Sequence, residues 1–145
     1  MYLVSSCLAG INCKYNGGNN EQKAIVDLVK EGKAIALCPE QLAGLSTPRS
    51  SCEIVIDTNG NKKVLSKDGH DLTKHFEAGA EKTLAIAKIM GVKKAILQSR
   101  SPSCGCGLIH DGSFSSKLIN GNGITAELLI ENGIEVYTEN NFILL

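Results

Sequence analysis

Residues 96–112 read ILQSRSPSCGCGLIHDG: a short apolar run opens into a Ser-, Pro- and Gly-rich loop with two thiols one residue apart, Cys104 and Cys106. His110 and Asp111 follow closely. A loop is a poor place to hide a side chain, so thiols there point to metal binding or thiol chemistry. Cys7, Cys13, Cys38 and Cys52 bring the total to 6. The opening residues, MYLVSSCLAG, have no basic stretch and too short an apolar run for a signal peptide or a spanning helix, so a cytoplasmic protein is expected. In a reducing compartment a disulfide framework gives way to metal or catalytic use of cysteine. A lone cysteine beside an apolar strand is still most often a small buried hydrophobe. That is the reading for Cys52 in SSCEIVID, while Cys13 and Cys106 stay open between the two roles.

The elements that must position these residues follow from periodicity. YLVSSC reads as a short buried strand, EQKAIVDLVKEG as an amphipathic helix closed by Gly32, and AIALCPE as a second buried strand stopped by Pro39. In CEIVIDTNGNKKVLS the turn TNGN separates two β-rich pieces, which predicts a small antiparallel hairpin insertion. DLTKHFEAGAEKTLAIAKIMG has helical spacing with a cap at Asp71 or Thr73, KKAILQS is a third buried strand, GITAELLIENG is a helix ending at Gly133, and IEVYTE is a last strand. Continuous apolar strands alternating with helices predict an α/β fold: a single compact domain over residues 1–145, its mainly parallel sheet flanked by helices. The length suits one core.

On such a scaffold three cysteines share an address. Cys7 follows YLVSS, Cys38 ends AIAL, and Cys104 lies just past AILQS, each at or beyond the carboxyl end of a parallel strand. Right-handed crossovers bring those ends to one edge, where open α/β sheets bind ligands. Gly10, Gly105 and Gly107 would let the backbone approach a bulky group there. No C-x-x-C pair is present, so a structural zinc site is poorly signed, and three thiolates would suit a [4Fe-4S] cluster with one iron free of protein ligand. Spacing alone leaves cluster, zinc and metal-free thiols open.

VSSCLAGINCKYNGG, CPEQLAGLSTPR, DGHDLTKHFEAGA and SRSPSCGCGLIHDGSF, followed by GNGITAELL and GIEVYTE, resemble the 2-thiouracil desulfurase family, long catalogued as a domain of unknown function, in order and almost end to end. The resemblance implies a [4Fe-4S] cluster held by Cys7, Cys38 and Cys104, and a non-redox removal of sulfur from a thiolated pyrimidine with Glu40 of CPE and Ser101 of SPSC in the active site. Members often carry valine at the position of Cys13, which argues against it as a ligand, and tyrosine at the position of His110. In the chemistry this implies, the open iron polarises the thiocarbonyl, Glu40 takes a proton from the attacking water, and Ser101 orients water or ring.

Arg49, Ser103 and Asp111 are the candidate substrate-binding residues, with His110 beside Asp111 in an outer polar layer. Arg49 would clamp an anionic or carbonyl-rich ligand, although a single loop arginine is more often solvated. GNGI at 121–124 leads a helix whose amino end would accept an anionic group. The 15 Lys and Arg against 15 Asp and Glu are scattered, giving net charge 0, so neither nucleic acid nor a membrane is expected as partner; the substrate is small, and a homodimer stays open. Two readings from other classes stand beside the enzyme: a sulfur-relay or redox protein using Cys104 and Cys106 as reactive thiols, and a non-catalytic metal-binding module.

Overall fold

The computed structural model describes residues 1–142. Its centre is a four-stranded parallel sheet of β1 (Tyr2–Ser5), β2 (Ala34–Leu37), β5 (Lys94–Leu97) and β8 (Glu135–Thr138), in the order β2-β1-β5-β8. The register runs Tyr2 opposite Ala34 and Lys94, and Lys94 opposite Glu135. Alternate residues face opposite sides of a strand. Leu3, Ala95 and Leu97 therefore pack under α3 (Thr73–Ile89) and α4 (Ile124–Glu131) with Ala87, Ala126 and Leu129. Val4 and Ile96 face the other way, onto Ile25 and Leu28 of α1 (Lys23–Lys30). The sheet is thus covered on both faces, which is why its strands read as apolar runs without alternation.

The hairpin around TNGN is β3 (Cys52–Ile56) and β4 (Lys62–Ser66), antiparallel with Cys52 opposite Ser66. Its inner face, Cys52, Ile54 and Val64, buries against Phe76 of α3 and Ile109. The cap of α3 is Leu72, with no side-chain cap bond, rather than the expected Asp71 or Thr73; Asp71 instead makes a turn just ahead of the helix, its Oδ1 accepting the Thr73 N–H at 2.9 Å. Pro39 does more than stop β2: it is the first residue of a short helix, α2 (Pro39–Leu42), a position where its missing N–H costs nothing. A second hairpin, β6 (Leu108–His110) and β7 (Leu118–Asn120), is additional to the one insertion expected. Among the described residues no helix is long and apolar enough to cross a membrane.

Two glycines draw the site loops onto this frame. A Cβ at Gly79 on α3 would overlap the Pro39 carbonyl oxygen, so only glycine lets α2 lie against α3. A Cβ at Gly123 would come within 2.8 Å of the Cys104 backbone nitrogen, and its absence lets α4 begin hard against the 101–105 turn.

Candidate active site

β1 and β5 lie side by side, yet their chains cross in opposite directions, to β2 on one flank and to β8 on the other. Such a switch point opens a crevice beyond the strand ends, and a cavity of about 390 Å³ lies there. Cys7 reaches it from a 3-10 turn (Ser6–Ala9) after β1, Cys38 from the residue before α2, and Cys104 from the turn after β5. Cys7 packs with the α1 side of the core and Cys104 with the α3–α4 side, and both line the same cavity.

Cys13 joins them. It is 1% exposed and lines the cavity with Cys7 and Cys38. Cys52, read from the sequence as a small buried hydrophobe, also borders this cavity. It is buried, as a small hydrophobe would be, but it opens β3 directly after the Arg49–Ser51 segment and forms part of the cavity wall. Cys106 does face away, its thiol 3.8 Å from the Val136 carbonyl.

Cys104, Cys38 and Cys13 all have their pKa raised. Burial pushes Cys104 up to about 12. Cys38 is raised by the contact with Cys13 and by burial. Cys13, which the Cys38 contact lowers, is carried up to about 11 by its contact with Cys7 and by burial. A metal group bound here must displace those protons, and affinity for it will rise with pH.

Glu40 sits in the first turn of α2, its side chain 18% exposed, and lines the cavity. Its Oε1 accepts Arg49 Nε–H at 3.3 Å. Arg49 is 8% exposed and donates further to Thr47 Oγ1 at 2.9 Å, Ser46 O at 3.1 Å and Cys13 O at 2.9 Å. Four bonds from one guanidinium tie α2, the 46–49 loop and the Cys13 loop together. Arg49 therefore lines the cavity with most of its donors already spent on the protein.

Ser101 also lines the cavity. Its Oγ accepts the N–H groups of Ser103 at 3.1 Å and Cys104 at 3.0 Å, which folds the loop that carries Cys104. The two other candidate substrate contacts do not reach the cavity. Ser103 is 1% exposed and shares a 2.9 Å hydrogen bond with Thr125 of α4, because residues two apart in a turn point in different directions. Asp111 accepts the Ser113 N–H at 2.9 Å in an outer turn. The amino end of α4 is no anion site either. Ile124 N–H goes to Pro102 O at 2.8 Å, and Thr125 and Ala126 N–H go to Ser103 O at 2.9 and 3.2 Å.

The family model described as 2-thiouracil desulfurase matches residues 2–141. The chain belongs to the 2-thiouracil desulfurase family. It is 48% identical to the uncharacterized protein YbbK of Bacillus subtilis (strain 168) over 145 residues, 97% of this chain and 96% of that one. Its fold is similar to a solved structure described as the [4Fe-4S]-dependent thiouracil desulfidase TudS, with TM-score 0.87 and 36% identity over 96% of this chain and 90% of the other.

Among the described residues no group of three or more His, Cys, Asp or Glu side chains is gathered closely enough to hold a metal ion. Cys7, Cys13, Cys38 and Cys104 nonetheless line one cavity, and thiolates are the donors an iron-sulfur cluster takes.

Several wall residues carry no sequence signal of their role. Gln98 Oε1 accepts the Cys7 thiol at 3.5 Å and Asn20 Nδ2 at 2.8 Å, and the Gln98 N–H goes to Ser5 Oγ at 2.9 Å. That is an outer layer orienting Cys7. His110 lines the cavity with Nδ1 buried and unpartnered among the described residues, a polar atom for an occupant to satisfy. Glu53 and Phe114 line it as well. Only the pairing of Gln98 with a strand end, and the family's aromatic residue at the position of His110, offered a hint.

Proposed function

We propose that this protein hydrolyses a thiolated pyrimidine of the 2-thiouracil type, with no net redox change, using a [4Fe-4S] cluster held by Cys7, Cys38 and Cys104. The observation that carries this reading is the meeting, in one cavity, of three thiols from three strand ends with the carboxylate of Glu40 two residues beyond one of them. Membership of the desulfurase family and likeness to the [4Fe-4S]-dependent desulfidase support both cluster and substrate. When bound, the cluster supplies a sulfur-seeking Lewis acid at its iron without a protein ligand. The chain's own residues do the rest. Arg49 holds one oxygen of Glu40, leaving Oε2 to accept a proton from water as that water attacks the thiocarbonyl carbon. Ser101 accepts two backbone N–H groups, so its own proton is what it has to offer to ring or water. Across the reaction C=S and H₂O become C=O and H₂S, and no electrons are exchanged with a donor.

The sulfur-relay reading needs exposed thiols of low pKa. Cys104 is buried with its pKa pushed up, and Cys106 points away from the cavity. The test is anaerobic purification with iron and sulfide counted per chain, followed by sulfide release from 2-thiouracil and 4-thiouracil without added reductant. Turnover under those conditions is expected. A strict need for an electron donor overturns the hydrolytic mechanism, and failure on every thiolated base with the cluster intact overturns the enzyme.

A further inference from the structure

The loop joining β6 to β7 holds a conformation that its residues do not favour. Phe114 and Ser116 have φ of 56° and 63°, in the left-handed region that bulky side chains avoid. At Gly112, φ is 91° and a Cβ would lie 2.8 Å from the Ile54 carbonyl oxygen. Strain of this kind persists only where the surroundings enforce it, and it gathers at ligand clamps.

A buried acid holds the part of the loop that carries Phe114. Glu53 on β3 is 8% exposed, and its Oε1 accepts the N–H groups of Gly112 at 2.9 Å and Phe114 at 3.1 Å. Burying a carboxylate is costly unless it is well bonded, and proton transfer from water, assigned to Glu40, makes no use of it. The side chain that the clamp fixes is the half-buried ring of Phe114, on the cavity wall.

We propose that Phe114 is the platform on which the planar ring of the substrate stacks, and that Glu53 is the positioning residue that holds it there through the backbone of residues 112–114. This rests on the thiolated-pyrimidine reading. An aromatic face recognises any flat heterocycle, so it adds ring affinity without touching the reacting carbon.

The experiment compares cluster-loaded wild type with Phe114→Ala, Phe114→Tyr, Glu53→Ala and Glu53→Gln. Iron per chain is the control for assembly, and uracil, the product with no sulfur, is titrated by NMR as a probe of ring binding alone. Phe114→Ala is expected to raise KM for 2-thiouracil about 5- to 100-fold, the usual worth of a base stacked on an aromatic. Its kcat should stay within a few-fold, and uracil should weaken in parallel. Phe114→Tyr should stay close to wild type. Glu53→Gln still presents an accepting oxygen and should keep KM, whereas Glu53→Ala should repeat the Phe114→Ala shift.

An unchanged KM and uracil affinity in Phe114→Ala overturns the platform, as does a loss confined to kcat. Glu53→Gln as poor as Glu53→Ala overturns the clamp. If wild type releases no sulfide, the desulfurase reading fails separately, and the uracil titration still decides the platform: no difference between wild type and Phe114→Ala, including no binding by either, overturns it.

Discussion

Replacing Glu40 separates chemistry from architecture because its two oxygens have different work. Oε1 accepts the Arg49 guanidinium at 3.3 Å, while Oε2 has no hydrogen-bond partner among the described residues. Glu40→Gln retains an accepting oxygen for Arg49 and loses only the charge. A hydrogen bond to a charged group is worth about 1.5–3 kcal/mol and a neutral one about 0.5–1.5, so at this long distance the structural loss should be about 1 kcal/mol or less. Glu40→Ala removes the acceptor and leaves the 8% exposed guanidinium one bond short. Breaking a fully buried pair costs about 3–5 kcal/mol; with Glu40 18% exposed and three Arg49 bonds surviving, about 2 kcal/mol is expected. Catalysis should rank them otherwise. Both lose the proton acceptor, so turnover should fall by roughly 10²–10⁴ in each, the usual worth of a general base. The assay pairs urea unfolding of the two variants with anaerobic sulfide release at equal iron per chain. Full turnover by cluster-loaded Glu40→Gln would refute the assignment. Equal destabilisation by Gln and Ala would refute the division of labour between the oxygens.

Cys7→Ser, Cys38→Ser and Cys104→Ser should each lose most of the iron and the activity together, since a hydroxyl is a poor substitute for thiolate at a soft site; Cys13→Ser should keep substantial iron by elemental analysis although it lines the same cavity. Ser101→Ala strips the acceptor from the Ser103 and Cys104 N–H groups, costing about 1–3 kcal/mol in urea unfolding and slowing cluster uptake during reconstitution as well as turnover. Gly79→Ala drives a methyl group into the Pro39 carbonyl and should destabilise the fold by about 1–3 kcal/mol, with iron content falling because Cys38 is carried by the same turn.

The places of Cys7, Cys38 and Cys104 on the cavity wall were legible because they depend on strand ends, and strand ends are written in apolar runs. AIAL and KKAIL, short apolar runs that alternate with helical segments, read as parallel strands, and a residue just past such a strand lies at the binding edge. Side-chain direction within a turn is not written that way. Ser101 and Ser103 are equally plausible in SPSC, and only the docking of α4 turns one inward and the other onto Thr125. The β6–β7 hairpin was missed because strands of three residues are too short to display alternation. Arg49 reads from the sequence as a substrate clamp, and its tethering role was not legible because its four acceptors come from three separate segments that sequence does not bring together.

Stability and reactivity share parts throughout this site. Carbonyl groups of Pro102 and Ser103 take up the first N–H groups of α4, so the turn that presents Cys104 also completes a core helix. Arg49 orients Glu40 and at the same time anchors the Cys13 carbonyl, and Glu53 is at once a strand residue and a tether for the 112–114 backbone. Local turn bonds and bonds to other elements thereby act together on these loops. The thiols gain little electrostatic readiness from this, since burial keeps Cys104 protonated up to about 12. What the frame supplies is position, and a metal group held by these thiols would have to supply the free energy of displacing their protons.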